Sequence, residues 1–383
     1  MQAVAERAPP EPLGRDGPDM EQQSLSTDWK GAIDCDVHPH VPDIAALTRH
    51  MDDYWRETVG VRGITGFESI AYPPRAPLTV RPDWRGDKAA GRERADTDPK
   101  RTAAAFMDRH GFAHSILNCL YAVQLIRDEH RAAAFCRALN DWVRAEWLDR
   151  DPRYRASIIL PLQNPELSVD EIERCAPDKR FIQVMGLAAG EQPLGKSHFW
   201  PVWQAAERHN LAVGIHSGSS YYHATTGSGW PSYYLEDYAA QSLAFHTQLG
   251  SFIAEGVFVK FPKLKLVLIE SGVTWIAPYL WRLSKFWRGV RLEVPWIDRS
   301  PVEFVRDHVR LTIQPFDAPN SGETIGRLMD QLQSDQMLLF ASDFPHWQFD
   351  GDAMLPGGID ASLRKKILID NPLATYPRLV SPH

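Results

Sequence analysis

Ala32-Ile33-Asp34-Cys35-Asp36-Val37-His38-Pro39-His40 is a short run, largely apolar, that ends in two imidazoles around a proline. Ala32–Val37 has the length of a buried strand, and successive side chains of a strand point to opposite faces, so Asp36, His38 and His40 share one face. Comparable apolar runs recur at His114–Cys119, Ala156–Leu160, Phe181–Leu187, Leu211–Ile215, Leu264–Ile269, Val309–Ile313 and Met337–Ala341. Most are followed by a helix-like stretch, the alternation of parallel βα units, and eight such units predict a closed (β/α)8 barrel.

The chain has 383 residues, more than the roughly 250 of a plain eight-stranded α/β barrel, so the barrel is expected to carry insertions. Two segments supply them. One, Val41–Lys100, is rich in proline, arginine and aromatic residues. The other, Ser217–Tyr238, is rich in glycine, serine and tyrosine. Loops after the strands build the active site in barrels of this class, which makes both segments candidate substrate walls and equally candidate oligomer contacts. Residues 1–30, with acids and prolines but no apolar core, read as a flexible arm ahead of one barrel domain over 31–383.

Composition narrows the partners. A formal net charge of −7 offers no basic surplus for nucleic acid or an anionic membrane, and no stretch of 18 apolar residues suggests a membrane span. A small-molecule partner is the default. Cys35, Cys119, Cys136 and Cys175 form no CxxC pair and read as reduced thiols of a cytoplasmic protein. The apolar surplus of Val41–Lys100 and of Trp275–Trp296 predicts a homo-oligomer or an assembly with a related subunit.

The C-terminal strand ends carry the chemistry. Besides His38 and His40, the fifth run leads into His216, the sixth into Glu270 and the eighth into Asp343. An unpaired imidazole or carboxylate at the end of an apolar strand is costly to bury, and a shared cation offsets that cost. Each group alone could be a hydrogen-bonded polar residue of the core; their agreement in position is what predicts one site.

Those residues carry a resemblance. Asp36-Val-His-Pro-His40, Ile215-His216-Ser-Gly218, Gly256 through Lys265 into Glu270, Arg282-Leu283, Ser342-Asp343-Phe-Pro-His346 and Asp370-Asn371-Pro372 through Tyr376 resemble the successive motifs of the amidohydrolase-related (amidohydrolase 2) family. This implies a metal-dependent TIM barrel with His38, His40, His216 and Asp343 on the metal ligands. The family's decarboxylases place a catalytic histidine in an Ala-His-Gly-Gly context after strand six, where this chain has Ile269-Glu270-Ser271-Gly272. Glu270 and His246, the latter within Leu243–Gln248, are therefore the candidate acid/base groups or further ligands. His346 could orient Asp343, donate a proton or cap a turn. Tyr221, Tyr222, Trp230 and Trp347 are candidate pocket walls.

Three functions follow from this set. The first is a metal-dependent hydrolase or related lyase acting on a small carboxylated substrate, with zinc as the expected ion and Asp343, Glu270 and His246 in catalysis. The second is an oxygenase whose dinuclear iron or manganese centre is completed by Glu270 and His246, similar to the family's oxygen-activating branch of aminoisobutyrate hydroxylase-like subunits. The third is a structural subunit of such a heteromer, whose metal only shapes the barrel mouth.

Overall fold

A computed structural model describes residues 29–67, 80, 84, 86–87, 91–219, 223–319, 321–346 and 355–379. Eight strands form one sheet in sequence order: β1 (Ile33–Val37), β2 (His114–Leu117), β3 (Tyr154–Ile159), β4 (Phe181–Ala189), β5 (Ala212–Ser219), β6 (Leu266–Ile269), β7 (Val309–Thr312) and β8 (Leu338–Leu339). Every neighbouring pair is parallel. The far edge returns to β1, because the Cys35 amide donates to Phe340 O at 3.0 Å and the His38 amide to Phe344 O at 2.8 Å. The molecule is a (β/α)8 barrel, and each of the eight apolar runs overlaps one of its strands.

The runs are largely apolar because the strands are covered on both faces. In β6, Val267 and Ile269 lie inside the barrel with Ile33, Cys35, Ile116 and Leu339, whereas Leu266 and Leu268 join the larger outer core against the helices. The crossover helices include Glu129–Val143, Pro165–Cys175, Trp200–Arg208, Tyr234–Ala254, Ile276–Val290, Pro301–His308 and Gly322–Leu332. Several begin on side-chain caps: Asp128 accepts from the Arg131 amide, Asn164 from Leu167 and Ser321 from Thr324.

The N-terminal end of the barrel is closed by the chain's last described turn. Tyr376 and Leu379 enter the interior cluster, and Asn371 Nδ2 donates to Asp335 O and Leu338 O, both at 2.9 Å. Trp29 packs on Phe340 beside β1, while residues 1–28 of the expected arm lie outside the described residues. The described part of 41–100 contains the helices Ile44–Thr48 and Asp53–Val61, and 217–238 runs from the end of β5 into the helix that starts at Tyr234.

All four cysteines are free and buried. No helix among the described residues is long and apolar enough to cross a membrane. Trp281, Phe286, Val290 and Leu292 are exposed on and just after the helix Ile276–Val290.

Candidate metal centre at the barrel mouth

The end of β1 is locked to the loop after β8 by a residue that the sequence did not single out. Asp34 is fully buried and accepts from Ser342 N at 3.0 Å, Ser342 Oγ at 2.6 Å and the Asp36 amide at 3.2 Å. Burial pushes its carboxyl up to about 7. The clamp sets Asp36 and His38 beside Asp343, whose backbone has a left-handed φ of 57°. Glu270, at the end of β6, is also left-handed at φ 59°. Such conformations are uncommon for residues with a side chain and cluster at functional sites.

Two overlapping groups of donors meet here. Asp36, His38 and His216 each offer a ligand atom within 4.8 Å of the others, and so do His38, Asp343 and His346. His38 Nε2 lies 2.9 Å from Asp343 Oδ1 and 3.4 Å from Asp36 Oδ1; His216 Nε2 lies 3.7 Å from Asp36 Oδ2 and 3.5 Å from Glu270 Oε2. The Nδ1 atoms of both histidines are engaged by backbone carbonyls, His38 with Asn118 O at 2.8 Å and His216 with Ser217 O at 2.6 Å. That arrangement puts a proton on Nδ1 and aims each Nε2 at the carboxylates, the side from which a cation would take it as a ligand.

The fit to a metal ion rests on the atoms left over. Asp36 Oδ2, His216 Nε2 and Asp343 Oδ2 are buried without a hydrogen-bond partner. Orphaned lone pairs of this kind are expensive unless something electropositive sits among them. Two imidazole nitrogens and two carboxylates suit manganese, zinc or iron.

Charges balance tightly in the metal-free cluster. Burial opposes ionisation of Asp36, but His38 and His216 outweigh it and hold the carboxyl far below the usual range. Burial likewise opposes protonation of His38, but Asp36 and Asp343 raise it well above an ordinary histidine. Asp343 is held low by His346 and His38 against its burial. For Glu270 the balance falls the other way: burial and the neighbouring Asp343 charge outweigh His216 and His346 and push it up to about 7. Its Oε1 accepts from Tyr238 OH at 3.1 Å and its Oε2 from Ser217 Oγ.

The loops beyond the site are pinned. Gln241 Oε1 accepts from Gly218 N at 3.0 Å and Asp237 accepts from Thr225 Oγ1 at 2.8 Å, which anchors the helix carrying Tyr238 over Glu270. After Glu270, Asp317 accepts from the Val273 and Thr274 amides and from Thr274 Oγ1. A Cβ on Gly272 would lie 2.5 Å from the Asp317 carboxylate, so this position has no room for a side chain.

Two expected donors stand apart. His40 belongs to neither donor group; a proline separates it from His38, its amide donates to Asp96 O at 2.7 Å, and burial together with Arg94 lowers its basicity. Asp36 occupies the place expected for it. His246 is also outside both groups, since its Nδ1 binds Ser242 O at 2.8 Å within its own helix and its ring packs on Trp275 and Tyr279 at 4.5 Å each. His346 joins the site, with Nδ1 2.6 Å from Asp343 Oδ1 and its ring stacked on His38 at 4.7 Å. Tyr221, Tyr222 and Trp347 lie outside the described residues.

The amidohydrolase family model matches residues 33–378, the whole barrel from β1 to the closing turn. The chain belongs to the amidohydrolase family. It is a metal-dependent enzyme of hydrolase or lyase type. Among characterised relatives, gamma-resorcylate decarboxylase of Polaromonas sp. (strain JS666 / ATCC BAA-500) is 27% identical over 287 residues, covering 68% of this chain and 82% of its own. The same enzyme of Rhodococcus jostii (strain RHA1) is 28% identical over 257 residues, covering 62% and 75%. In fold, the chain is similar to an amidohydrolase from Mycobacterium avium subsp. paratuberculosis K-10, with a TM-score of 0.69, 24% identity and coverage of 90% and 99%. It is also similar to a dihydroxybenzoic acid decarboxylase from Polaromonas sp. JS666 with bound manganese and the inhibitor 2-nitroresorcinol, with a TM-score of 0.65, 20% identity and coverage of 92% and 98%.

Proposed function

We propose that this enzyme is a divalent-metal-dependent lyase that removes CO2 from a small aromatic carboxylate. The carrying observation is the convergence of Asp36 Oδ2, His216 Nε2 and Asp343 Oδ2, buried and unpartnered, with His38 Nε2 in one mouth beside Glu270. The names of the characterised relatives support the reaction class, and the manganese in a related structure supports the ion. In this reading Asp36, His38, His216 and Asp343 hold Mn2+ or Zn2+. The bound ion supplies a positive charge that anchors and polarises the substrate's oxygens.

Decarboxylation breaks the bond between the ring carbon and the carboxylate, CO2 departs, and the electron pair left on carbon takes a proton. In this reading Glu270 gives it. It stands where related decarboxylases carry histidine, and Tyr238 OH and Ser217 Oγ fix both of its oxygens. His346 holds Asp343 by its Oδ1 and so leaves Oδ2 for the ion.

The overlap of the two donor groups at His38, with Glu270 adjacent, favours one second reading: two iron or manganese ions in the same mouth and an oxygen-dependent hydroxylation. His346 and Glu270 would then complete the second ion's ligands instead of His246. An assembly, of like or related subunits, belongs to either reading and would cover Trp281, Phe286 and Val290.

One experiment tests the choice. Chelator-stripped enzyme is reloaded with Mn2+, Zn2+ or Fe2+ and given a series of hydroxylated benzoates while CO2 release and O2 uptake are both followed. CO2 release at a ratio of one ion per chain is expected. O2 uptake without CO2, at two ions per chain, would replace the lyase reading.

A further inference from the structure

Below the metal centre, the barrel interior holds a hydrogen-bond chain that ends on Asp36. Tyr376 OH donates to Gln183 Oε1 at 3.1 Å, Gln183 Nε2 to Ser157 Oγ at 2.8 Å, Ser157 Oγ to Asn118 Oδ1 at 2.6 Å, and Asn118 Nδ2 to Asp36 Oδ1 at 2.8 Å. The five residues come from β4, β3, the end of β2, β1 and the closing C-terminal turn. All are essentially without solvent contact.

The direction of the chain is forced by its ends. An ionised Asp36 only accepts, so the Asn118 amide must point its Nδ2 at it and its Oδ1 must accept. Ser157 then has to donate upward and accept from below, which turns the Gln183 amide the same way and leaves its Oε1 for a donor. In this barrel that donor is the phenol of Tyr376, whose proton burial makes very hard to remove. Every donor therefore points toward the carboxylate, and each bond strengthens the next in a site of low dielectric. The neighbouring strand makes room for the chain: a Cβ on Gly214 would lie 2.6 Å from the Gln183 amide. Asn118 acts twice, since its backbone oxygen also engages His38 Nδ1.

We propose that Asn118, Ser157, Gln183 and Tyr376 are positioning residues for the cation, holding Asp36 by Oδ1 so that Oδ2 faces it. This rests on the reading of Asp36 as a ligand. It assigns the C-terminal Asn371–Tyr376 segment a function at a distance, because the residue that plugs the barrel floor also anchors the metal site from below. The chain orients a metal ligand.

The test measures Mn2+ affinity of the stripped full-length protein, by the electron paramagnetic resonance signal of free Mn2+, with thermal unfolding on the same samples. Asn118→Ala is expected to weaken binding about tenfold or more, Ser157→Ala less, and Tyr376→Phe about threefold, with Ser157→Thr close to wild type. A purely structural role would lower the melting temperature and leave the affinity of the folded fraction unchanged. If Ser157→Ala and Tyr376→Phe both bind Mn2+ within about twofold of wild type, the inference is overturned, and these two remain informative should Asn118→Ala fail to fold. The expected order of affinities in a wild type that releases no CO2 would retire the lyase reading and still support the positioning chain.

Discussion

The two ends of the barrel leave different atoms unpartnered. At the mouth they are Asp36 Oδ2, His216 Nε2 and Asp343 Oδ2, all lone pairs. At the floor they include the Nε–H groups of Arg310 and Arg378, which no cation can approach. The floor arginines direct their remaining donors at backbone carbonyls: Arg378 at Phe181 O and Ala176 O, Arg310 at Val309 O and Arg306 O, Arg155 at Pro152 O and Tyr154 O. The mouth also holds the left-handed Glu270 and Asp343, while the floor is stoppered by Tyr376 and Leu379. The floor's unpartnered groups are donors that a cation cannot satisfy, whereas those at the mouth are lone pairs that a bound cation would.

Substitutions at the two ends should therefore separate function from stability. The largest effect is expected for Asp343→Ala, which removes the carboxylate that both His38 and His346 engage. Metal content by elemental analysis should fall toward zero and kcat/KM by on the order of a thousandfold. Full occupancy in this variant would break the comparison at its functional end.

Trp29→Ala, just before β1, should do the reverse. Trp29 is buried against Phe340, Phe112 and His110, and truncating a packed aromatic costs about 3 kcal/mol. Urea unfolding should show that loss, while the folded protein keeps its metal affinity. A large drop in affinity would mean that the two ends are coupled through more than the Tyr376 chain.

What was legible in the sequence follows the same division. Strands buried on both faces read as continuous apolar runs, so all eight were visible, although β3 begins earlier, at Tyr154 and Arg155, where a buried charge interrupts the run. Groups standing at the ends of those runs, His216, Glu270 and Asp343, were visible for the same reason. His40 lies outside both donor groups although alternation put it on their face, because β1 stops at Val37, before Pro39. Alternation did put Asp36 on the face of His38, but an aspartate inside a strand announces nothing about which oxygen stays free. Asn118, Ser157 and Gln183 are ordinary polar residues in sequence; only the register of β2, β3 and β4 lines them up. Tyr238 reaches Glu270 from a helix whose placement depends on Gln241 and Asp237, contacts that no periodicity encodes.

The smallest of the three effects belongs to Glu270, a mouth carboxyl whose burial and Asp343 neighbour outweigh the imidazoles of His216 and His346. In the metal-free protein its carboxyl is pushed up to about 7 by burial and by Asp343, so it is mostly protonated below that pH and mostly charged above it. A bound cation favours the charged form, so the working value is expected at or below about 7. If Glu270 gives the proton, activity is present on the acidic side of that value and declines as pH rises through it. Glu270→Gln keeps the shape and the hydrogen bonds to Tyr238 and Ser217 within reach but cannot release a proton. Turnover should fall about ten- to a hundredfold, the alkaline decline should disappear, and the metal bound by Asp36, His38, His216 and Asp343 should stay. Anomalous scattering at the manganese, iron and zinc edges on both proteins completes the test. One unchanged peak supports a proton donor beside a single ion, whereas two peaks in wild type and one in the variant would make Glu270 a ligand and move the enzyme to the two-ion reading.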